Sequence, residues 1–107
     1  MSDIVILGVF VADTAYRADR QPKMGETILG TSFVLGPGGK GSNQSVAASM
    51  AGGDVTFISR LGKDAFADIA RATWAKAGVK SAITEDAESY TGAAYIFLEN
   101  ATGNNAI

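Results

Sequence analysis

Gly36-Pro37-Gly38-Gly39-Lys40-Gly41-Ser42 is the stretch from which the fold of this 107-residue chain is read. It holds four of the 13 glycines, in a chain where glycine makes up about 12% against roughly 7% in average proteins. The residues that follow are small: Ser45, Val46, Ala47, Ala48, Ser49, Met50 and Ala51. A glycine turn is therefore expected to run into a helix capped by Ser42 or Asn43, stopped by Gly52-Gly53 and able to lie close against a sheet. Such a turn presents backbone N–H groups at the positive end of the helix dipole, which suits an anion or a hydroxyl-rich ligand. Two nucleotide-binding patterns compete for it. A Walker loop fails, because Gly41 follows Gly39-Lys40 where Ser or Thr is needed and Val34 stands at the first glycine. A dinucleotide fingerprint fits formally as Gly36-x-Gly38-x-x-Gly41, with Arg60 at the end of the next strand as a reader of a 2′-phosphate. That alternative predicts an NADP-binding oxidoreductase domain.

Upstream, Ile4 to Leu7 is a β-branched apolar run ended by Gly8, which reads as a strand buried on both faces, prolonged by Val9 to Ala12 as far as Asp13. A polar stretch with Arg17, Asp19, Arg20 and Pro22 breaks the pattern. Thr27 to Leu35 is then expected to be extended and exposed on one face. Downstream, Val55 to Ser59 reads as a second buried strand. Asp64 caps a helix whose Phe66, Ile69, Ala70, Thr73, Trp74 and Ala77 fall on one face and which Gly78 closes. Val79 to Ile83 is a short strand, Glu85 to Ser89 an acidic turn, and Tyr90 to Glu99 a further extended run. After the polar turn at 100–105 only Ala106 and Ile107 remain, against the five or six residues usual in a strand. The chain is expected on this ground to be part of a longer protein, or to take its partner strand from elsewhere.

Composition removes many mechanisms. There is no histidine and no cysteine, so a Ser-His-Asp triad, a thiol nucleophile, a Cys/His zinc site and a disulfide framework are excluded. A general base must be a carboxylate, a lysine or a tyrosine. Nine basic and eleven acidic residues give a net charge of −2, with the basic ones spread singly, so neither nucleic acid nor an anionic membrane is an expected partner. At 47% apolar and 19% charged, one globular domain with a core is expected, cytoplasmic in the absence of a basic leader or a long apolar segment. Asp64, Asp68, Glu85, Asp86 and Glu88 show no metal-ligand spacing.

Gly38-Gly39-Lys40-Gly41-Ser42-Asn43-Gln44-Ser45, with Gly52 and Gly62 after it, resembles the first signature of the ribokinase-like (PfkB) family of sugar and nucleoside kinases. Gly8 to Asp13, Met24-Gly25-Glu26-Thr27 and Thr91-Gly92 resemble the same family's N-terminal region, in order along the whole chain. The resemblance implies the N-terminal part of a three-layer α/β/α fold, with the strands of a small β-sheet lid at about 14–36 and 90–107. It implies a carbohydrate kinase that moves the γ-phosphoryl group of ATP to a sugar hydroxyl, using Mg2+ and a monovalent cation, and that forms a homodimer through its lid strands. Asp13, Gly39, Lys40 and Asn43 are the residues it implies for the sugar. The ATP site and the catalytic aspartate are implied to lie beyond residue 107, so these 107 residues alone are expected to be inactive. A non-catalytic sugar-binding module is the remaining alternative. Ribokinases of the family usually carry Asn where this chain has Val11, which bears on whether ribose itself is bound.

Overall fold

The computed structural model describes residues 2–107. Nine elements follow one another: β1 (Ile4–Leu7), β2 (Val11–Ala18), β3 (Ser32–Gly38), α1 (Lys40–Met50), β4 (Val55–Leu61), α2 (Ala65–Ala77), β5 (Lys80–Glu85), β6 (Gly92–Glu99) and β7 (Asn105–Ala106). They make two sheets. β1, β4 and β5 form a parallel sheet in the order β1-β4-β5; β3, β2, β6 and β7 form a second one in the order β3-β2-β6-β7.

The parallel sheet carries the core. Strand alternation turns Val55, Phe57 and Leu61 of β4 to one face, where they are buried together with Ala67, Ala70 and Trp74 of α2, while Val46 and Ala48 of α1 pack alongside. α2 follows its sequence pattern closely. Asp64 caps it by accepting from the Ala67 N–H at 2.9 Å, and Gly78 ends it in the left-handed conformation, φ 80°, which glycine adopts without a Cβ penalty. Trp74 is the pivot, with Phe10 and Phe57 meeting its ring edge-on at centroid distances of 5.8 and 5.2 Å.

Both helices lie on that one face, and this corrects the reading of β1 as buried on both sides. Val5 and Leu7 of β1 pair with Thr56 and Ile58 of β4 and point to the opposite face, where Val5 is 60% and Leu7 80% exposed. The apolar run also does not continue as one strand to Asp13. It breaks at Gly8, whose N–H and C=O are held by the Ile58 carbonyl (3.2 Å) and the Ser59 hydroxyl (2.7 Å). The chain then enters the other sheet at Val11.

In the second sheet β2 lies centrally, antiparallel to β3 and parallel to β6, and β7 closes it antiparallel to β6. β3 starts later than expected and runs through Pro37 to Gly38. Proline is tolerated there because β3 is an edge strand, paired only with β2 among the described residues. The sheet projects from the helical layer, so the chain has a radius of gyration of 16.1 Å, above the roughly 13 Å of a compact 100-residue domain.

Candidate functional site

The two sheets meet where β2 begins and α1 begins, and the glycines explain how closely. α1 starts at Lys40, two residues before the expected cap, with Gly39 in the N-cap position at φ 95° and no side chain capping it. A Cβ at Gly39 would collide with the Val9 carbonyl oxygen and stand 3.0 Å from Phe10 Cα and 3.1 Å from Val11 N. A Cβ at Gly41 would lie 3.0 Å from Gly8 Cα and 3.1 Å from the Phe57 ring. The first turn of α1 is thus pressed against the Gly8 to Val11 backbone, a contact only glycine permits. Ser42, expected as a cap, is fully buried and accepts a hydrogen bond from the Trp74 indole at 2.9 Å. Asn43 sits in the first turn with its N–H on the Gly39 carbonyl at 2.9 Å and its side chain exposed.

Asp13 lies on β2, paired with Gly36 of β3 and Ala94 of β6. Its carboxylate rests on Gly38: a Cβ there would be 2.5 Å from both Oδ atoms. Among the described residues nothing donates a hydrogen bond to it, and Lys40, exposed at the head of α1, forms no ion pair. The half-buried carboxylate, an acceptor only when ionised, therefore keeps its lone pairs free beside the uncapped N–H groups of a helix.

Gly39, Lys40 and Asn43 fall together in one turn, and Gly39 touches the strand that carries Asp13. Gly38 is the residue that spacing alone undervalued, because its role as the floor under the carboxylate follows from the β2–β3 register. The dinucleotide alternative loses its geometry. Gly36 and Gly38 lie within β3 and not in a strand-to-helix turn, and Arg60 pairs with Asp86 at 3.5 Å. Two concavities lie elsewhere, one of about 350 Å³ between Asp64, Phe66 and Tyr90, another of about 490 Å³ between Pro37, Met50 and Lys76. Neither gathers a set of free polar groups comparable to the β2–α1 junction.

A parallel α/β layer, a small second sheet and a glycine-built junction between them define the N-terminal architecture of a ribokinase-like kinase. Solved structures agree. A ribokinase from Giardia lamblia matches with a TM-score of 0.84 at 32% identity, over 99% of this chain and 32% of its own. A ribokinase from Arabidopsis thaliana, solved with ribose and ATP, matches with a TM-score of 0.84 at 28% identity, over 98% of this chain and 34% of its own. In sequence, the ribokinase of Bacillus subtilis is 37% identical over 108 residues, 100% of this chain and 36% of that protein. The pattern of pfkB family carbohydrate kinases matches residues 1–107. The chain belongs to the pfkB family of carbohydrate kinases. It spans about a third of the length of the curated relatives it matches.

Proposed function

We propose that the chain forms the sugar side of a kinase that transfers the γ-phosphoryl group of ATP to a hydroxyl of a sugar. The observation that carries this reading is the Asp13 carboxylate, unpaired among the described residues and seated on Gly38 next to the first turn of α1. In this reading Asp13 accepts hydrogen bonds from sugar hydroxyls, Gly39 lets the ligand approach the backbone, and Lys40 and Asn43 donate to ring or hydroxyl oxygens. The second sheet serves as the lid. A pentose is the acceptor class, supported by the names of two kinds of relative, ribokinases and the deoxyribokinase of Salmonella typhi, the latter 34% identical over 106 residues and covering 98% of this chain and 34% of that protein.

ATP and Mg2+ are the donor and metal that go with this activity. Among the described residues no group of three or more Asp or Glu is gathered to hold a metal ion, and no step is assigned to the metal. Homodimerisation through the lid strands is supported by the partly exposed aromatic side chains of Tyr16, Phe33 and Tyr95 on one face of the second sheet, where Tyr16 lies tilted against Phe33 at 5.2 Å and stacked on Tyr95 at 5.4 Å. A cytoplasmic setting suits this chemistry; no helix among the described residues is long and apolar enough to cross a membrane.

The test is calorimetric titration of pentoses into the protein and its Asp13→Asn variant. Loss of a charged acceptor weakens binding by about 10- to 100-fold, the equivalent of roughly 1.5–3 kcal/mol. Unchanged pentose affinity in the variant would overturn the reading.

A further inference from the structure

A sugar anchored on Asp13 of β2 and touched by Lys40 and Asn43 of α1 spans two elements, so its affinity depends on how those elements are held together. Gly39 and Gly41 bring the first turn of α1 against the Gly8 to Val11 backbone. Contacts of this kind set closeness but not direction, because no side chain interlocks. No side chain caps α1 either. Within its first turn Lys40 and Asn43 are exposed and only Ser42 is buried. Among the described residues, the bond from the Trp74 indole N–H to Ser42 Oγ at 2.9 Å is the one side-chain hydrogen bond that ties this turn to another element. A hydrogen bond is directional, so it orients the turn where the glycines leave it free.

Trp74 also touches the other half of the site. Phe10, in the segment that leads into β2 and Asp13, meets the indole edge-on at 5.8 Å, an arrangement that fixes both rings. The Cα of the same Phe10 is what Gly39 packs against. Phe57 of β4 holds the indole from the parallel sheet at 5.2 Å. One buried side chain therefore contacts the approach to Asp13 and the turn bearing Lys40 and Asn43 at once. α1 has a second tie to α2, from Ser49 Oγ to the Ala77 carbonyl at 2.7 Å. That bond lies about 10 Å farther along the helix, away from the sugar side.

We infer that Trp74 is a positioning residue for the sugar: through Ser42 and Phe10 it sets the first turn of α1 against the strand that carries Asp13, without touching the ligand. This rests on the reading of Asp13 as the sugar anchor. Residues that act on a ligand through others shift its affinity by about twofold to 30-fold, and a loss in that range is expected when the Trp74–Ser42 bond is removed.

The experiment titrates ribose and 2-deoxyribose by calorimetry into the protein and its Ser42→Ala, Trp74→Phe and Ser49→Ala variants, each well below its unfolding midpoint. Ser42→Ala and Trp74→Phe should each weaken the pentose that binds by at least about threefold. Ser49→Ala removes a bond of the same kind between the same two helices, and should leave affinity within about twofold of the unaltered protein. A purely structural role would lower stability in all three and affinity in none. Unaltered affinity in folded Ser42→Ala, or equal weakening by Ser49→Ala, would overturn the inference and leave the Asp13 anchor standing. Trp74 is the only tryptophan of the chain, which gives a readout that needs no substitution. A ligand weakened by loss of the bond must hold the bond closed by the same factor, so a saturating pentose should slow solvent exchange of the indole proton by at least about threefold. Unchanged exchange would also overturn the inference. Failure of both pentoses to bind the unaltered protein would overturn the anchor, and this inference with it.

Discussion

The indole Nε1–H of Trp74 donates to Ser42 Oγ at 2.9 Å, and both side chains are fully buried. This bond joins the last turn of α2 to the first turn of α1, the turn that also holds Lys40 and Asn43. Ser42→Ala leaves a buried indole N–H without a partner, at a cost of about 1–3 kcal/mol. Urea unfolding should register that loss. A Ser42→Ala, Trp74→Phe double-mutant cycle should return a coupling above about 0.5 kcal/mol. Additive effects would mean the bond contributes nothing.

Gly38 and Gly39 are adjacent, yet alanine at each should fail differently. At Gly38 the new Cβ meets the end of the Asp13 side chain, which rotates away at little cost, so the fold persists while pentose affinity drops by about tenfold or more with the displaced charged acceptor. At Gly39 it meets backbone at φ 95°, and Gly39→Ala should lower stability by about 1–3 kcal/mol. Unfolding midpoints and pentose titrations on the two variants separate these outcomes. Equal stability losses would contradict the prediction.

Acid should weaken the junction between α2 and β6. Asp64 accepts from the backbone N–H of Thr91 and from that of Ala67, both at 2.9 Å. The Thr91 bonds, followed by the Ala67 bond, hold its carboxyl below the usual carboxylate range. A lowered folded pKa means that the stabilisation is present above the unfolded value of about 4 and is lost as pH falls through the folded one. Asp54, lowered first by Lys80, and Asp86, lowered first by the Glu88 N–H, act in the same direction. Stability should therefore rise with pH across the acid range, and Asp64→Asn should reduce that slope without abolishing it. Urea midpoints collected between about pH 3 and about pH 6 would show this; an unchanged slope would refute it.

A polypeptide of these 107 residues is expected to bind a pentose without phosphorylating it. Phosphoryl transfer requires nucleotide, metal and base to be positioned together. Among the described residues no cluster of carboxylates is arranged for the metal. A coupled assay for ADP release in the presence of ATP, Mg2+ and each pentose checks the expectation. Turnover above the sugar-free control would reject it.

Elements with a local cause were legible in the sequence. α2 carries its period, its cap and its stop within the 15 residues from Asp64 to Gly78. The break at Gly8 was half legible, because the glycine ends the first apolar run but nothing local says that Val9 to Ala12 lead into another sheet; the close contact with Gly41 does, and that contact is tertiary. Pro37 and its flanking glycines argued against a strand that forms because it has only one neighbour. Ser42 has a capping residue's chemistry but spends its hydroxyl on Trp74. Gly39, Lys40 and Asn43 fall together at the start of α1, as a glycine turn running into a helix implied. The place of Gly38 under the Asp13 carboxylate appears only once β2 is laid beside β3.

The central pairing of the second sheet has a kinetic consequence. Thr14 and the Ala94 carbonyl that it holds are 80 positions apart, and every other β2–β6 pair is similarly distant along the chain. Closing so long a loop is slow unless the intervening chain has already been shortened. The β4-α2-β5 segment lies within that loop and makes its own contacts locally. The expected order is therefore helical layer first and the face bearing Asp13 last, which would make ligand recognition a late reporter of refolding, appearing after tryptophan burial.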